Sequence, residues 1–173
     1  DVSGHGLGPA LLMATLYAHL NSLVESQRDV TEILTRANRF LAKETDRFIT
    51  LFFGWLQPAT RKFAYASAGH PTGYVFDASG RVKMELASTA IPLAIDADTA
   101  FPMGRSTVLE PGDVVFLLTD GILEAESPDE RMFGVDRALE TVRENLREPA
   151  EEILRRLLDT VADYSRPRKL IDD

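Results

Sequence analysis

Between residues 48 and 118 the sequence is patterned for strands, and on both sides of that block it is patterned for helices. Upstream, Pro9 falls in a first helical turn, where its missing N–H costs nothing. Ala10, Leu11, Met13, Ala14, Leu16, Tyr17, Leu20 and Leu23 follow, a helix apolar over most of its girth. A second helix opens at Asp29, an N-cap with Glu32 at the third helical position, and runs through Ile33, Leu34, Ala37, Phe40 and Leu41. The two form a helical hairpin. Downstream, helices are read from about Val135 to Leu146 and from Pro149 to Tyr164. The second carries Ile153, Leu154, Leu157, Leu158 and Val161 at helical spacing, with Glu151 and Glu152 in its first turn.

Within the strand block, the aromatic and β-branched run Phe48 to Leu56 reads as a central strand, and Pro58-Ala59-Thr60 as a turn. Lys62 to Ala68 puts Phe63 and Tyr65 on one face. Gly73 to Asp77 returns after the Gly69-His70-Pro71 corner, and an Ala78-Ser79-Gly80 turn leads into Arg81 to Leu86, completing an antiparallel meander. Ala100 to Leu109 is a less regular strand. Glu110 to Asp113 turns into Val114 to Leu118, a buried strand ending at Thr119-Asp120-Gly121. Strands bracketed by helix pairs imply antiparallel sheets covered by helices, not a parallel crossover sheet. The expected class is α+β: an αββα sandwich of two stacked antiparallel sheets with helix pairs outside, in one domain over residues 1–173.

With 19 basic and 27 acidic side chains the formal charge is −8, which argues against a general binder of nucleic acid or anionic membrane. No stretch reads as the roughly 18 to 20 apolar residues of a membrane span. The absence of cysteine excludes disulfides, thiolate metal sites and a cysteine nucleophile, and is compatible with a reducing cytoplasm. The sequence opens on what reads as the end of a strand and stops in mid-pattern at Leu170-Ile171-Asp172-Asp173, so a domain truncated at both ends is expected.

Three acidic positions bear on chemistry. Asp1 precedes the glycine-bearing loop Val2 to Gly6, Asp120 precedes Gly121, and Asp172-Asp173 follows an apolar pair. Aspartate is a poor strand former and costly to bury alone, so carboxylates gathered at sheet ends find cations. Oxygen-only ligands point to magnesium or manganese. Two such ions bind a phosphate and turn a bridging water into a hydroxide nucleophile. The plainer reading is that each aspartate caps a turn, and spacing alone leaves both open.

DVSGHG at Asp1 to Gly6 with the helix start LGPALL, ASAGHP at Ala66 to Pro71, LLTDGILEAES at Leu117 to Ser127 and MFGVDR at Met132 to Arg137 resemble the PPM-type (type 2C-like) metal-dependent serine/threonine phosphatases. Within them the sequence is similar to the bacterial branch of the sporulation stage II E phosphatase and the sigma-factor-regulating stress phosphatases. The resemblance runs in order over essentially the whole chain. It implies an αββα sandwich with a two-metal cleft and no side-chain nucleophile, water attacking instead. Asp1 would bridge two Mn2+ or Mg2+ ions, Val2 would offer its backbone carbonyl, Asp120 would hold one ion, and Asp172 or Asp173 the same one, with Asp172 preferred. Gly4, His5, Thr119 and Gly121 would support these ligands. The family also carries an acidic motif ahead of DVSGHG and a last strand beyond the final aspartates, and the sequence is expected to lack both.

The resemblance implies hydrolysis of phosphoserine or phosphothreonine on a regulatory protein, an anti-sigma-factor antagonist, in the cytoplasm. An upstream sensor domain would act through the helical hairpin, and a homodimer is possible; nucleic acid and membrane are not expected partners. The alternative is a catalytically weak or inactive regulatory or dimerisation module of the same fold. A nucleotide phosphohydrolase is disfavoured, because no glycine-rich phosphate loop with lysine is present. His5 reads equally as a phosphate contact or a loop-organising residue, and His70 as a turn residue or an acid.

Overall fold

The computed structural model describes residues 1–26 and 29–166. In chain order the elements are α1 (Leu7–Ser26), α2 (Val30–Glu44), β1 (Leu51–Gln57), β2 (Lys62–Ala68), β3 (Gly73–Phe76), β4 (Val82–Leu86), β5 (Thr107–Val108), β6 (Val114–Phe116), α3 (Asp120–Leu123), α4 (Gly134–Glu144) and α5 (Ala150–Tyr164). They make two antiparallel three-stranded sheets, ordered β1-β2-β5 and β4-β3-β6, with helices before and after the strand block. The class is α+β, as the pattern predicts. The described residues fall into two compact units: Asp1–Gly73 with Glu85–Glu110, and Tyr74–Met84 with the described residues from Pro111 on.

In the first unit, the Asp29 carboxylate accepts from the Thr31 and Glu32 N–H groups at 2.8 and 3.3 Å, so α2 starts where an N-cap aspartate dictates. Glu32 uses its carboxylate on Arg36, one turn on, at 2.7 Å. Leu16 and Leu23 of α1 and Ile33, Leu34, Ala37 and Leu41 of α2 share a core with Ala66 and Ala68 of β2, Ile49 and Phe101. Asn38 is fully buried in α2. Its amide donates to Asp96 O at 2.8 Å and accepts from Ala94 N at 2.8 Å, which satisfies both ends and fixes the 94–96 loop.

Three sequence expectations need correction. The run from Phe48 is not a central strand: β1 is an edge of its described sheet, with Trp55 and Leu56 exposed, and β2 is the centre, buried from Phe63 to Ala68. An apolar run reports burial, not the number of neighbours, and β2 hides on both faces because small alanines alternate with Phe63 and Tyr65. The four strands from 48 to 86 are not one meander, since β2 and β3 belong to different sheets. The change of sheet falls at Gly69–Thr72, where Gly69 has φ +63° and a Cβ there would lie 2.3 Å from the Pro92 ring. Finally, α1, at 20 residues, is long and apolar enough to cross a membrane by length and composition. Counting unbroken apolar runs overlooks it, because Thr15, His19, Asn21 and Ser22 interrupt the run without adding fixed charge. Its Pro9, Leu16 and Leu23 are buried in the first unit, while Leu7, Leu11 and Tyr17 are exposed.

In the second unit, β3 and β6 pair in the register Tyr74↔Phe116, Val75↔Val115 and Phe76↔Val114. The segment from Val114 is half-buried rather than fully buried, and Leu117 is exposed. In the described sheet β6 is an edge strand. Phe76 packs with Val142 of α4 and Ile153 of α5, and Phe133 with Ala138 and Leu157. The turn after β3 is closed by Asp77, whose Oδ1 accepts from Ser79 N, Ser79 Oγ and Arg81 N at 2.9, 2.6 and 3.1 Å. Gly80, at φ +87°, lies beside Arg143, whose Nε donates to Gly80 O at 3.0 Å. Lys83 Nζ reaches the nearly inaccessible Asp113 carboxylate at 2.6 Å.

Candidate metal centre

Residues 1–3 form a short antiparallel ribbon with residues 48–50. Asp1 N donates to Thr50 O at 2.7 Å, Thr50 N to Asp1 O at 2.9 Å, and Ser3 N to Phe48 O at 3.1 Å. Val2 and Ile49 face one another in this pairing, so their own peptide groups point outward from the ribbon. Those of Ile49 are taken by Leu93, at 3.1 and 2.8 Å. The Val2 carbonyl is therefore directed to the opposite side, beside the exposed Asp1, while the Val2 side chain is buried and anchors the ribbon. The Val2 carbonyl and the carboxylate of the neighbouring Asp1 are oxygen donors of the kind that suits a hard divalent cation. This donor chemistry fits Mg2+ or Mn2+.

Gly4 and Gly6 both have left-handed φ, +90° and +95°, which lets the loop turn between Ser3 and α1. His5 lies exposed in this loop. Two neighbours carry no motif and escape a reading of the sequence. Arg47 Nη1 donates to Ser3 O at 2.9 Å, and a Cβ on Gly4 would come within 2.5 Å of the same nitrogen. Thr50 Oγ1 and His70 Nδ1 are 2.9 Å apart, both half-buried. The glycine-histidine-proline corner is thereby tied to the residue that pairs with Asp1. In sequence Arg47 marks only the boundary between a helical and a strand pattern, and Thr50 is one β-branched residue among several.

In the second unit Asp120 is exposed and opens the four-residue helix α3. The sequence places it at a strand end; β6 stops at Phe116, and Leu117 to Thr119 is an irregular connection. Thr119 is the N-cap, with φ −95° and ψ 168°, and its hydroxyl makes no capping hydrogen bond. Gly121 is exposed beside it. Asp172 and Asp173 lie outside the described residues. Among the described residues no three histidine, aspartate or glutamate side chains cluster into a metal site of their own.

The stage II sporulation protein E family matches the chain over residues 1–173. The chain is 26% identical over 163 residues to the phosphoserine phosphatase RsbU of Bacillus subtilis, covering 93% of this chain and 48% of RsbU. It thus spans about half the length of that relative. Among solved structures, the RsbU and RsbW domains of Rv1364c from Mycobacterium tuberculosis superpose at a TM-score of 0.79 with 26% identity, over 95% of this chain and 46% of that one. The SiaA-PP2C domain of Pseudomonas aeruginosa superposes at 0.82 with 24% identity, over 100% and 70%. RsbX in complex with magnesium shares the fold at 0.62 and 20% identity, over 98% and 73%. With its family match running from the Asp1 ribbon to the last residue and its fold shared with PP2C domains, the chain belongs to the stage II sporulation protein E family.

Proposed function

We propose that this chain is the catalytic domain of a phosphoprotein phosphatase that hydrolyses phosphoserine or phosphothreonine with two Mg2+ or Mn2+ ions. The observation that carries this is the family match over residues 1–173, which takes in the backbone ribbon that holds Asp1 and Val2. RsbU, named a phosphoserine phosphatase, and the magnesium complex of RsbX support the reaction and the cofactor.

In this reading Asp1 and the Val2 carbonyl would be metal ligands, as would Asp120 and Asp172, or in its place Asp173. Ions held by these groups would supply a water acidic enough to attack phosphorus and charge to offset that of the phosphoryl oxygens. The protein holds Asp1 and Val2 by backbone pairing, which does not depend on rotamer choice, and it buries the Val2 side chain so that its carbonyl cannot swing. The substrate is a small phosphorylated anti-sigma-factor antagonist in the cytoplasm, with an upstream sensor acting through the α1–α2 hairpin. A homodimer suits the exposed apolar residues of α1.

Incubating the domain with Mn2+ and such a phosphoprotein tests the reading. Phosphate release that needs the metal and disappears in Asp120→Asn is expected. Equal release from that variant removes the catalytic reading.

A further inference from the structure

The ribbon that carries Asp1 also carries a cation that the metal ligands do not use. Arg47 is held at both ends: its backbone N–H donates to Thr45 Oγ1 at 3.0 Å, and its Nη1 donates to Ser3 O at 2.9 Å. The guanidinium occupies the room above Gly4, since a Cβ there would lie 2.5 Å from Nη1 and 3.6 Å from Cζ. Its side chain therefore rests on the loop that follows the candidate ligands. A guanidinium has five N–H donors in a fixed plane, and the Ser3 carbonyl takes one.

Among the described residues the ion pairs engage Arg36, Arg61, Arg81, Lys83, Arg143, Arg155, Arg156 and Arg166, and none engages Arg47. In a chain of net charge −8, this guanidinium, fixed on the Ser3 carbonyl, forms no ion pair with a carboxylate among the described residues. A planar fork of donors, ordered by the Ser3 carbonyl, matches the oxygens of a phosphate monoester.

We propose that Arg47 binds the phosphoryl group of the substrate, using the donors that Ser3 does not occupy, and so sets affinity for the phosphorylated residue at the Asp1 corner. This rests on the phosphatase reading above for the identity of the ligand. Arg47 is thus a substrate-binding residue, and the Gly4 that admits it is part of the same device.

The test uses the whole chain, 15N-labelled, titrated with inorganic phosphate in the presence of Mg2+, alongside a calorimetric titration of Mg2+ itself. Wild type is expected to show phosphate-dependent shifts at the Ser3 to Gly6 amides. Arg47→Gln should weaken phosphate binding about tenfold or more. Its Mg2+ affinity should stay within about twofold of wild type, since Asp1 and Val2 remain held by the ribbon. Arg47→Lys, which keeps the charge but not the fork, should fall between the two and serves as the control for folding. Against the phosphoprotein, Arg47→Gln should raise KM more than it lowers kcat. Unchanged phosphate affinity in Arg47→Gln overturns the proposal, as does absence of phosphate binding in wild type. A parallel loss of Mg2+ affinity also overturns it, because Arg47 would then only brace the loop. If wild type binds phosphate but releases none from the phosphoprotein, the phosphatase reading fails, while the comparison of wild type with Arg47→Gln still decides the role of Arg47.

Discussion

Asp1 and Asp120 both precede glycine-bearing loops, yet they are held by different means. Asp1 is paired in both directions with Thr50, 49 residues away, and its neighbour Val2 is buried. Asp120 opens a single helical turn secured by local bonds, from Glu124 N to Asp120 O at 2.8 Å and from Ile122 N to Thr119 O at 3.4 Å, with no side chain capping it. A ladder between distant segments opens only when the unit around it opens, whereas one helical turn frays by itself. Of these two proposed ligands, Asp1 is therefore held firmly within the first unit and Asp120 compliantly within the second.

Removing each carboxylate breaks this comparison most directly. Asp1→Asn and Asp120→Asn should each lower phosphate release at least about 100-fold, and the two should differ in how the remaining metal affinity responds to added Mn2+. High Mn2+ should rescue Asp120→Asn in part, because a compliant corner can adjust, and should leave Asp1→Asn unrescued. Equal rescue of both in a metal titration of the rate would show that the two corners are alike.

The next largest effect is on the first unit, which holds Asp1, at the turn that leaves β2. Gly69→Ala forces a side chain into a left-handed backbone and puts its Cβ 2.3 Å from Pro92 Cγ and 2.8 Å from Pro92 N. A destabilisation of about 3 kcal/mol or more is expected in chemical denaturation. A loss below about 1 kcal/mol would mean that the turn from the first sheet toward β3 yields more easily than its contacts imply.

How much of this was legible in the sequence follows the range of the interactions. The Asp29 cap, the 58–60 and 78–80 turns and the spans of α2 and α5 are set by neighbours a few residues apart, and reading residue types along the chain finds them. The division of the strands between two sheets depends on which strand each one meets, and alternating hydrophobicity does not encode the partner. The same holds at the site. DVSGHG and the Asp120-Gly121 pair are visible as motifs, whereas Arg47 reaches Ser3 across 44 residues and Thr50 reaches His70 across 20. Asn38 reads as a polar interruption of an apolar helix until its partners at Ala94 and Asp96 are seen.

A smaller change probes whether the ribbon depends on its side chains. Thr50→Val removes the hydroxyl from His70 while leaving both backbone bonds to Asp1 intact. A stability loss of about 1 kcal/mol is expected, with Mn2+ affinity within about twofold of wild type. A large fall in metal affinity would show instead that the His70 corner, not the backbone ladder, sets the position of Asp1.

The smallest effect belongs to the second unit, at the turn between β3 and β4. The Ser79 hydroxyl foremost, with the Arg81 and Ser79 N–H groups and the Arg81 guanidinium, holds the Asp77 carboxyl well below the usual carboxylate range, against a partial desolvation. Because the folded-state value lies below the unfolded one, the contribution is present above the ordinary aspartate range near pH 4 and is lost as pH falls from there toward the folded value. The carboxyl is partly open to solvent and its Arg81 partner is exposed, so screening keeps the effect small. Asp77→Asn should therefore lower the Tm slightly at neutral pH, and its difference from wild type should shrink on acidification below about pH 4. A difference that stays constant into acid would assign the turn's stability to hydrogen-bond geometry that asparagine lacks rather than to the carboxylate charge. Ser79→Ala, which removes the foremost partner and keeps the charge, would then separate the two, since only a charge-dependent contribution moves with the Asp77 titration.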